Sequence, residues 1–244
     1  VMIGNILNHL YLGGKVSPVK LALAAQYAEN VYFGKPSGLM DQLASAVGGF
    51  VFIDFEMPGE PRVESVRLSL SDVGYTLCVV NTRGSHADLN DEYAAIPREM
   101  REIAGFFGRK VLRGVTESEI LEKAPELRKR FGDRALLRAI HFVREDLRAE
   151  CARIALSEGD VEKFLSLLSE SGDSSYKYLQ NIYAPKNPTE QGISLALALT
   201  DGFLSGRGAY RVQGGGFAGT IEALVPTARA SDYAALMNSV YGEG

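Results

Sequence analysis

Residues 33–42, FGKPSGLMDQ, join two stretches of helical periodicity, and the interpretation of the fold starts from them. Two glycines and a proline make the first part of this segment a loop. Asp41 then lies three residues after Gly38, in the first turn of a short predicted helix that ends at Gly48 and Gly49. A helix N-terminus stabilises a carboxylate, and a glycine lets a ligand approach the backbone closely. The position suits a catalytic base, although favourable charge placement alone also explains it.

Two helices are predicted before this loop. The first carries an apolar stripe at helical spacing, which consists of Ile3, Ile6, Leu7, Leu10 and Tyr11. No Ser, Thr, Asp or Asn precedes the stripe as an N-cap, so we interpret the chain as beginning inside a helix, with a fraying, uncapped helix as the alternative. Glycines 13–14 end this helix, and Ser17-Pro18 starts a second one that runs to about Asn30.

The remaining segments predict strands first and then mostly helices. The runs 50–55, 63–70 and 75–81 are rich in β-branched and aromatic residues and read as strands. The first predicted helix, 91–107, has a break or restart at Pro97, and a capping box at 116–119 opens a second one that runs to about 131. A long amphipathic helix follows residue 133. Further helices are predicted at 160–170, 174–182, 189–204 and from 231. A strand pair, 209–213 and 220–225, flanks a glycine-rich turn. Strands and helices do not alternate regularly, which favours a layered α+β fold. If the chain has two domains, we place the boundary near Asp72, after the first group of strands.

Composition excludes several classes of protein. The 244 residues are 46% hydrophobic and 23% charged, as in a soluble globular protein of one large or two small domains. A net charge of −4 gives no electrostatic footprint for nucleic acid. Cys78 and Cys151 are too far apart in sequence for a disulfide framework or zinc knuckle, and His9, His86 and His141 are too dispersed for a local metal motif. This cysteine usage fits a reducing compartment, so we expect a cytoplasmic protein. The longest apolar stretches are too short to span a membrane.

Residues 213–219, QGGGFAG, are the second candidate for chemistry. Successive glycines expose backbone N–H groups that can form an anion-binding nest, and a hairpin needs only one or two glycines. A glycine-rich hairpin without a ligand is the alternative. The run matches neither the phosphate-loop motif of nucleoside triphosphatases nor the dinucleotide-binding motif.

Three segments, taken in order, resemble galactokinases. Residues 26–42, QYAENVYFGKPSGLMDQ, resemble the galactokinase segment that contains Gly-(Ile/Leu)-Met-Asp-Gln. Residues 81–93, NTRGSHADLNDEY, are similar to the stretch after the first strand of the C-terminal domain, and residues 214–219, GGGFAG, resemble the third glycine motif. Galactokinases are GHMP small-molecule kinases. The resemblance therefore implies that residues 1–72 are the remainder of the N-terminal α+β domain and that residues 73–244 form a ferredoxin-like C-terminal α+β domain.

The resemblance also implies an activity, the transfer of a phosphoryl group from ATP to O1 of galactose with Mg²⁺ as the ion that accompanies ATP. Asp41 would be the catalytic aspartate that faces the C1 hydroxyl. Gly38 and Tyr93 would contact the sugar, and Glu29 would be a magnesium ligand. The triplet of Gly214, Gly215 and Gly216 would close over the phosphoryl-transfer region.

The chain also departs from the galactokinase pattern. Ser37 and Ala218 replace a frequent Cys and Gly, which are mild changes. The galactokinase signature that supplies most sugar contacts and the Gly-x-Gly-Leu-Ser-Ser-Ser-Ala phosphate loop are missing, and Val1 falls just after the place where that loop would end. We therefore expect negligible activity from this chain alone, weak Mg²⁺ binding, and self-association through uncovered surfaces. A non-catalytic sugar-responsive or interaction protein and an N-acetylgalactosamine kinase stay open as alternatives.

Overall fold

The computed structural model describes residues 1–34, 37–57, 59–85 and 87–243, so Lys35, Pro36 and His86 from the segments above lie outside the described residues. The chain divides into two compact units, Val1–Leu68 and Ser69–Gly244. Helices and antiparallel strands occur in both units, and the predicted α+β class is confirmed.

Helices make up most of the regular structure. The helices are α1 (Met2–Leu12), α2 (Pro18–Tyr27), α3 (Met40–Val47), α4 (Asn90–Phe106), α5 (Glu117–Glu122), α6 (Ala124–Phe131), α7 (Asp133–Glu158), α8 (Val161–Ser174), α9 (Gly192–Leu204) and α10 (Ala230–Tyr241). The strands are β1 (Phe50–Asp54), β2 (Arg62–Val66), β3 (Tyr75–Asn81), β4 (Ala209–Val212) and β5 (Thr220–Pro226). Two π-helical turns, Ala28–Tyr32 and Ser175–Leu179, continue α2 and α8. Among the described residues no helix is both long and apolar enough to cross a membrane.

The first unit packs α2 and α3 together, and β1 pairs antiparallel with β2. Ala22, Leu39 and Leu43 are buried where the two helices meet. The Ser17 side chain accepts a hydrogen bond from the Lys20 N–H, and proline occupies the first turn of α2, as the sequence predicts. The π-helical turn extends this helix slightly beyond its predicted end.

The apolar stripe predicts α1 correctly but not its buried face. Ile3, Leu10 and Tyr11 are 70%, 70% and 77% exposed. The buried residue of α1 is Asn8, whose side chain exchanges hydrogen bonds with the N–H and C=O of Val16. No side chain caps the N-terminus of α1.

The second unit contains an antiparallel sheet with the strand order β3-β5-β4. Tyr75 pairs with Pro226, and Ala209 pairs with Leu224. Helices α9 and α10 pack on the sheet around a buried core of Val80, Ile182, Ile193, Ala196, Leu197, Leu204, Val212, Ile221, Ala223, Val225, Tyr233 and Met237. Residues 213–219 connect β4 to β5, so the predicted strand pair with its glycine-rich turn is confirmed.

A second core lies among α4, α5, α6 and α7 and explains one wrong prediction. Helix α4 is continuous through Pro97, where the sequence predicts a break. A proline inside a helix lowers the stability of that helix by about 3 kcal/mol. Burial of Ile103 and Ala104 on the same helix offsets this loss. The predicted capping box of Thr116 and Glu119 is present, but the helix after it ends at Glu122 and α6 then restarts.

Candidate functional site

Asp41 lies in the first turn of α3 and is exposed. Leu39, at the N-cap, and Leu43 are both buried in the core of the first unit, so the start of this helix is fixed by packing. Asp41 stands on the wall of a groove with a volume of about 830 Å³. The other polar residues that line the groove include Glu29, Ser37, Gln42 and Ser45.

Glu29 lies in the π-helical turn and lines the same groove as Asp41. One of its carboxylate oxygens accepts hydrogen bonds from Ser37 Oγ at 2.8 Å and from Gln42 Nε2 at 2.6 Å. The Ser37 N–H also donates to Asn30 Oδ1 at 2.8 Å, which ties the loop to the helical turn. The sequence indicates Glu29 but not the two side chains that orient it, although Gln42 directly follows Asp41.

The predicted roles of Gly38 and Glu29 are compatible with the geometry but stay predictions. Gly38 is exposed, and a Cβ there would meet no atom of the described residues within 4 Å, which leaves its backbone accessible to a ligand on that side. Mg²⁺ usually keeps several waters and binds through one or two carboxylates plus phosphate oxygens, which a single carboxylate such as Glu29 fits. Among the described residues no group of three or more His, Cys, Asp or Glu side chains could hold a metal ion.

Packing accounts for two glycines of the triplet. A Cβ at Gly215 would lie 2.7 Å from Tyr93 Cε1. A Cβ at Gly216 would lie 2.0 Å from the carbonyl oxygen of Asn181, and this glycine has φ +78°. Gly214 has φ +67° but faces open space. Contacts within the second unit therefore explain Gly215 and Gly216, whereas only the backbone conformation requires Gly214.

The backbone of the glycine turn shares the alternating φ signs of an anion-binding nest. The φ angle is positive at Gly214 and Gly216 but not at Gly215, and Phe217 follows with φ +60°. In nests, alternation of this kind makes successive N–H groups point to one side. The flanking amides of Gln213 and Phe217 donate to the carbonyl oxygens of Thr220 and Asn181. The N–H groups of the triplet donate to no described atom.

Tyr93, a predicted sugar contact, packs against this turn. Its hydroxyl donates to the carbonyl oxygen of Gly216 at 2.9 Å, and its ring meets Phe217 edge-on at 5.4 Å between centroids. Partial burial raises the pKa of the Tyr93 hydroxyl. The structure thus brings together two parts of the predicted site, Tyr93 and the glycine triplet, while contact with a sugar stays a prediction.

Sequence reasoning missed Asn181, the other residue that holds the glycine turn. Its side chain is 2% exposed, and its Nδ2 donates to the carbonyl oxygen of Gly215 at 3.1 Å. It follows the second π-helical turn and Gln180, which has φ +57°. No motif or periodicity marks it, because its role comes from contacts with residues more than thirty positions away.

Comparison with known proteins shows the fold class of this chain. The model of the GHMP kinases N terminal domain matches residues 1–49. A galactokinase from Lactococcus lactis, solved in complex with galactose, superposes with a TM-score of 0.71 at 25% identity, over 98% of this chain and 59% of that chain. A mevalonate kinase from L. major, at 15% identity and a TM-score of 0.56, shares the fold. The fold is therefore that of the GHMP kinases.

Within that class, the similar sequences are galactokinases. The galactokinase of Glaesserella parasuis serovar 5 (strain SH0165) is 33% identical over 216 residues, which are 86% of this chain and 52% of the relative. That of Mannheimia succiniciproducens is 31% identical over 222 residues, or 89% of this chain and 54% of the relative. The chain thus spans about half the length of the curated relatives it matches, and over that span the predicted resemblance to galactokinases is confirmed.

Proposed function

We propose that this chain carries the catalytic residues of a sugar kinase that transfers the γ-phosphoryl group of ATP to O1 of galactose. The observation that supports this most directly is the position of Asp41. Its carboxylate is exposed in the first turn of α3, on a groove wall that it shares with Glu29, within the segment that matches the GHMP kinases N terminal domain.

Asp41 acts as the general base in this proposal. As O1 of the sugar attacks the γ-phosphorus, the hydroxyl proton passes to the Asp41 carboxylate, the new O–P bond forms, and the bond to the β-phosphate oxygen breaks to release ADP. Asp41 is exposed in the first turn of α3, so its carboxylate is accessible to a substrate hydroxyl in the groove.

The other predicted residues bind and orient the substrates. Gly38 leaves its backbone accessible, and Tyr93 contacts the sugar. The N–H groups of Gly214, Gly215 and Gly216 are donors for phosphate oxygens, because the nest concentrates positive partial charge.

Glu29 holds the magnesium ion in this proposal. Ser37 and Gln42 donate to one of its oxygens and so orient the carboxylate in the groove. When bound, Mg²⁺ would neutralise charge on the ATP phosphates. Since Glu29 is a single carboxylate, we expect weak binding of the free ion and tighter binding together with ATP.

The proposal can be tested with the chain alone and with an extended chain. Galactose-dependent ADP formation is measured for the 244-residue chain and for a fusion that places a galactokinase signature and phosphate loop before Val1. We expect negligible turnover from the chain alone and measurable turnover from the fusion. Asp41→Asn in the fusion should lower kcat by about 10²–10⁴-fold, the usual contribution of a general base.

Asp232→Asn is the matched control, since Asp232 is an exposed aspartate in the first turn of α10. It should leave kcat unchanged. A folded fusion that carries Asp41→Asn and turns over as fast as the unsubstituted fusion would refute the role of Asp41. A fusion that binds galactose without turnover would favour the non-catalytic, sugar-responsive alternative.

A further inference from the structure

Asn181 contacts the glycine turn through both its side chain and its backbone. Its Nδ2 donates to the carbonyl oxygen of Gly215 at 3.1 Å, and its own carbonyl oxygen accepts the Phe217 N–H at 2.5 Å. Gly216, between these two bonds, has no room for a side chain beside Asn181. The conformation of the turn is thus specified at three consecutive residues by one asparagine.

Asn181 is a costly residue to bury at this position. Its side chain is 2% exposed, and its Oδ1 has no hydrogen-bond partner among the residues that the structure describes. A buried acceptor without a partner destabilises the folded state, and an apolar side chain of the same shape would avoid that cost. Stability of the fold alone therefore does not account for an asparagine here, whereas control of the turn through Nδ2 does.

A buried ion pair fixes the backbone that presents Asn181. The Leu179 carbonyl oxygen accepts a hydrogen bond from Arg138 Nε at 3.1 Å, and Arg138, which is 1% exposed, pairs with Glu99 at 2.8 Å. Glu99 belongs to α4, and Tyr93 of the same helix donates its hydroxyl to the carbonyl oxygen of Gly216 in the turn. The glycine turn is therefore held between α4 and the segment that follows α8.

We propose that Asn181 is a positioning residue that keeps the glycine turn in its anion-binding conformation. The bond from Nδ2 orients the peptide between Gly215 and Gly216, and this keeps the N–H groups of the triplet directed at one phosphate group. The inference rests on the proposed function, because it assigns a phosphate group to this turn.

The test is a titration of the ¹⁵N-labelled 244-residue chain with inorganic phosphate, followed by NMR at the amides of Gly214 to Gly216. Asn181→Leu keeps the approximate size of the side chain and the backbone bond to Phe217 but removes the Nδ2 donor and the unpartnered oxygen. We expect its apparent Kd for phosphate at these amides to rise about tenfold, because the turn is no longer preorganised. We expect its urea midpoint to stay close to that of the wild type.

Asn8→Leu provides a matched control. Asn8 is another buried asparagine, but it lies in the first unit and both ends of its amide are bonded to Val16. This variant should lower the urea midpoint and leave the phosphate response of the glycine amides unchanged. The two variants therefore separate loss of stability from loss of anion binding.

An unchanged phosphate affinity in Asn181→Leu would overturn the inference while leaving the proposed function in place. Absence of any phosphate response at the triplet in the wild type would refute the proposed phosphate contact and the inference with it. If Asn181→Leu does not fold, Asn181→Ala is titrated in its place. It lacks the same donor, so wild-type affinity in that variant would equally overturn the inference.

Discussion

At Gly216 the second unit has no space for even a methyl group. A Cβ there would approach the carbonyl oxygen of Asn181 to 2.0 Å, and φ is +78°. We expect Gly216→Ala to lower the free energy of unfolding by about 2–5 kcal/mol, because overpacking adds to the cost of a left-handed backbone. Gly214→Ala should cost only about 1–2 kcal/mol, since this glycine faces open space. Urea denaturation measures both values, and equal losses would contradict this account of the triplet.

His141 makes the stability of the second unit dependent on pH. Burial first, and then the positive charges of Arg211 and Arg148, lower its pKa to about 4. The unfolded chain, with a histidine pKa near 6.5, binds more protons between these values, so stability falls as the pH drops from 6.5 toward 4. The decrease is at most about 3 kcal/mol.

The measurement for His141 is urea unfolding between pH 4 and pH 7 for the wild type and His141→Gln. Glutamine can still bond to Ser174, which lies 2.9 Å from His141 Nδ1, but it does not titrate. The difference in unfolding free energy between the two proteins should therefore change across this range. His9→Gln, at an exposed position, should leave the wild-type slope intact. A parallel pair of curves for wild type and His141→Gln would disprove the assignment.

Single residues were predictable from sequence where a local pattern determines them. The capping box of Thr116 and Glu119 and the place of Asp41 in the first turn of α3 are both of this kind. Asn181 was not predictable, because its partners in the glycine turn are brought to it only by the folded second unit. For the same reason, the sequence could not show that packing against Tyr93 requires Gly215.

Among the elements, the accuracy of the predicted bounds varies, and β2, predicted over 63–70, covers only Arg62–Val66. The bounds of β3, Tyr75–Asn81, agree with the sequence prediction, since turn residues delimit this apolar run. The continuity of α4 through Pro97 and the π-helical turns after α2 and α8 were not predicted. In α4, tertiary packing outweighs the tendency of proline to end a helix. The first π-helical turn contains Glu29 and the second one precedes Asn181, so these local departures from α-helix shape the candidate site.

The contact between α4 and α7 contains a buried charge pair that should be costly to disrupt. Arg138 is 1% exposed and bonds to Glu99. Glu99→Gln leaves this guanidinium without its opposite charge, and we expect a loss of about 3–5 kcal/mol in unfolding free energy. Arg134 pairs with the same carboxylate from a partly exposed position, so Arg134→Gln should cost about 1 kcal/mol or less. Thermal and urea unfolding measure both variants, and a small loss for Glu99→Gln would contradict the buried-pair interpretation.

For the whole molecule, composition and element order predicted the α+β class but not the distribution of apolar surface. Periodicity identifies an apolar stripe on α1, and the usual inference is that such a stripe is buried. In the structure it is exposed, and the buried residue of α1 is the polar Asn8. The stripe therefore remains available for contacts with another surface.

The exposed stripe of α1 predicts concentration-dependent self-association of the chain. Apolar patches of this kind are uncommon on monomers, and their burial between copies is favourable. Sedimentation velocity over a concentration series should detect the association, and added sulfate should strengthen it. Ile3→Lys combined with Leu10→Lys should shift the chain toward monomer with little loss of stability, since both positions are 70% exposed. Leu147→Lys, at an exposed position of α7, should associate like the wild type. If the double variant associates as strongly as the wild type, α1 does not form the contact between copies.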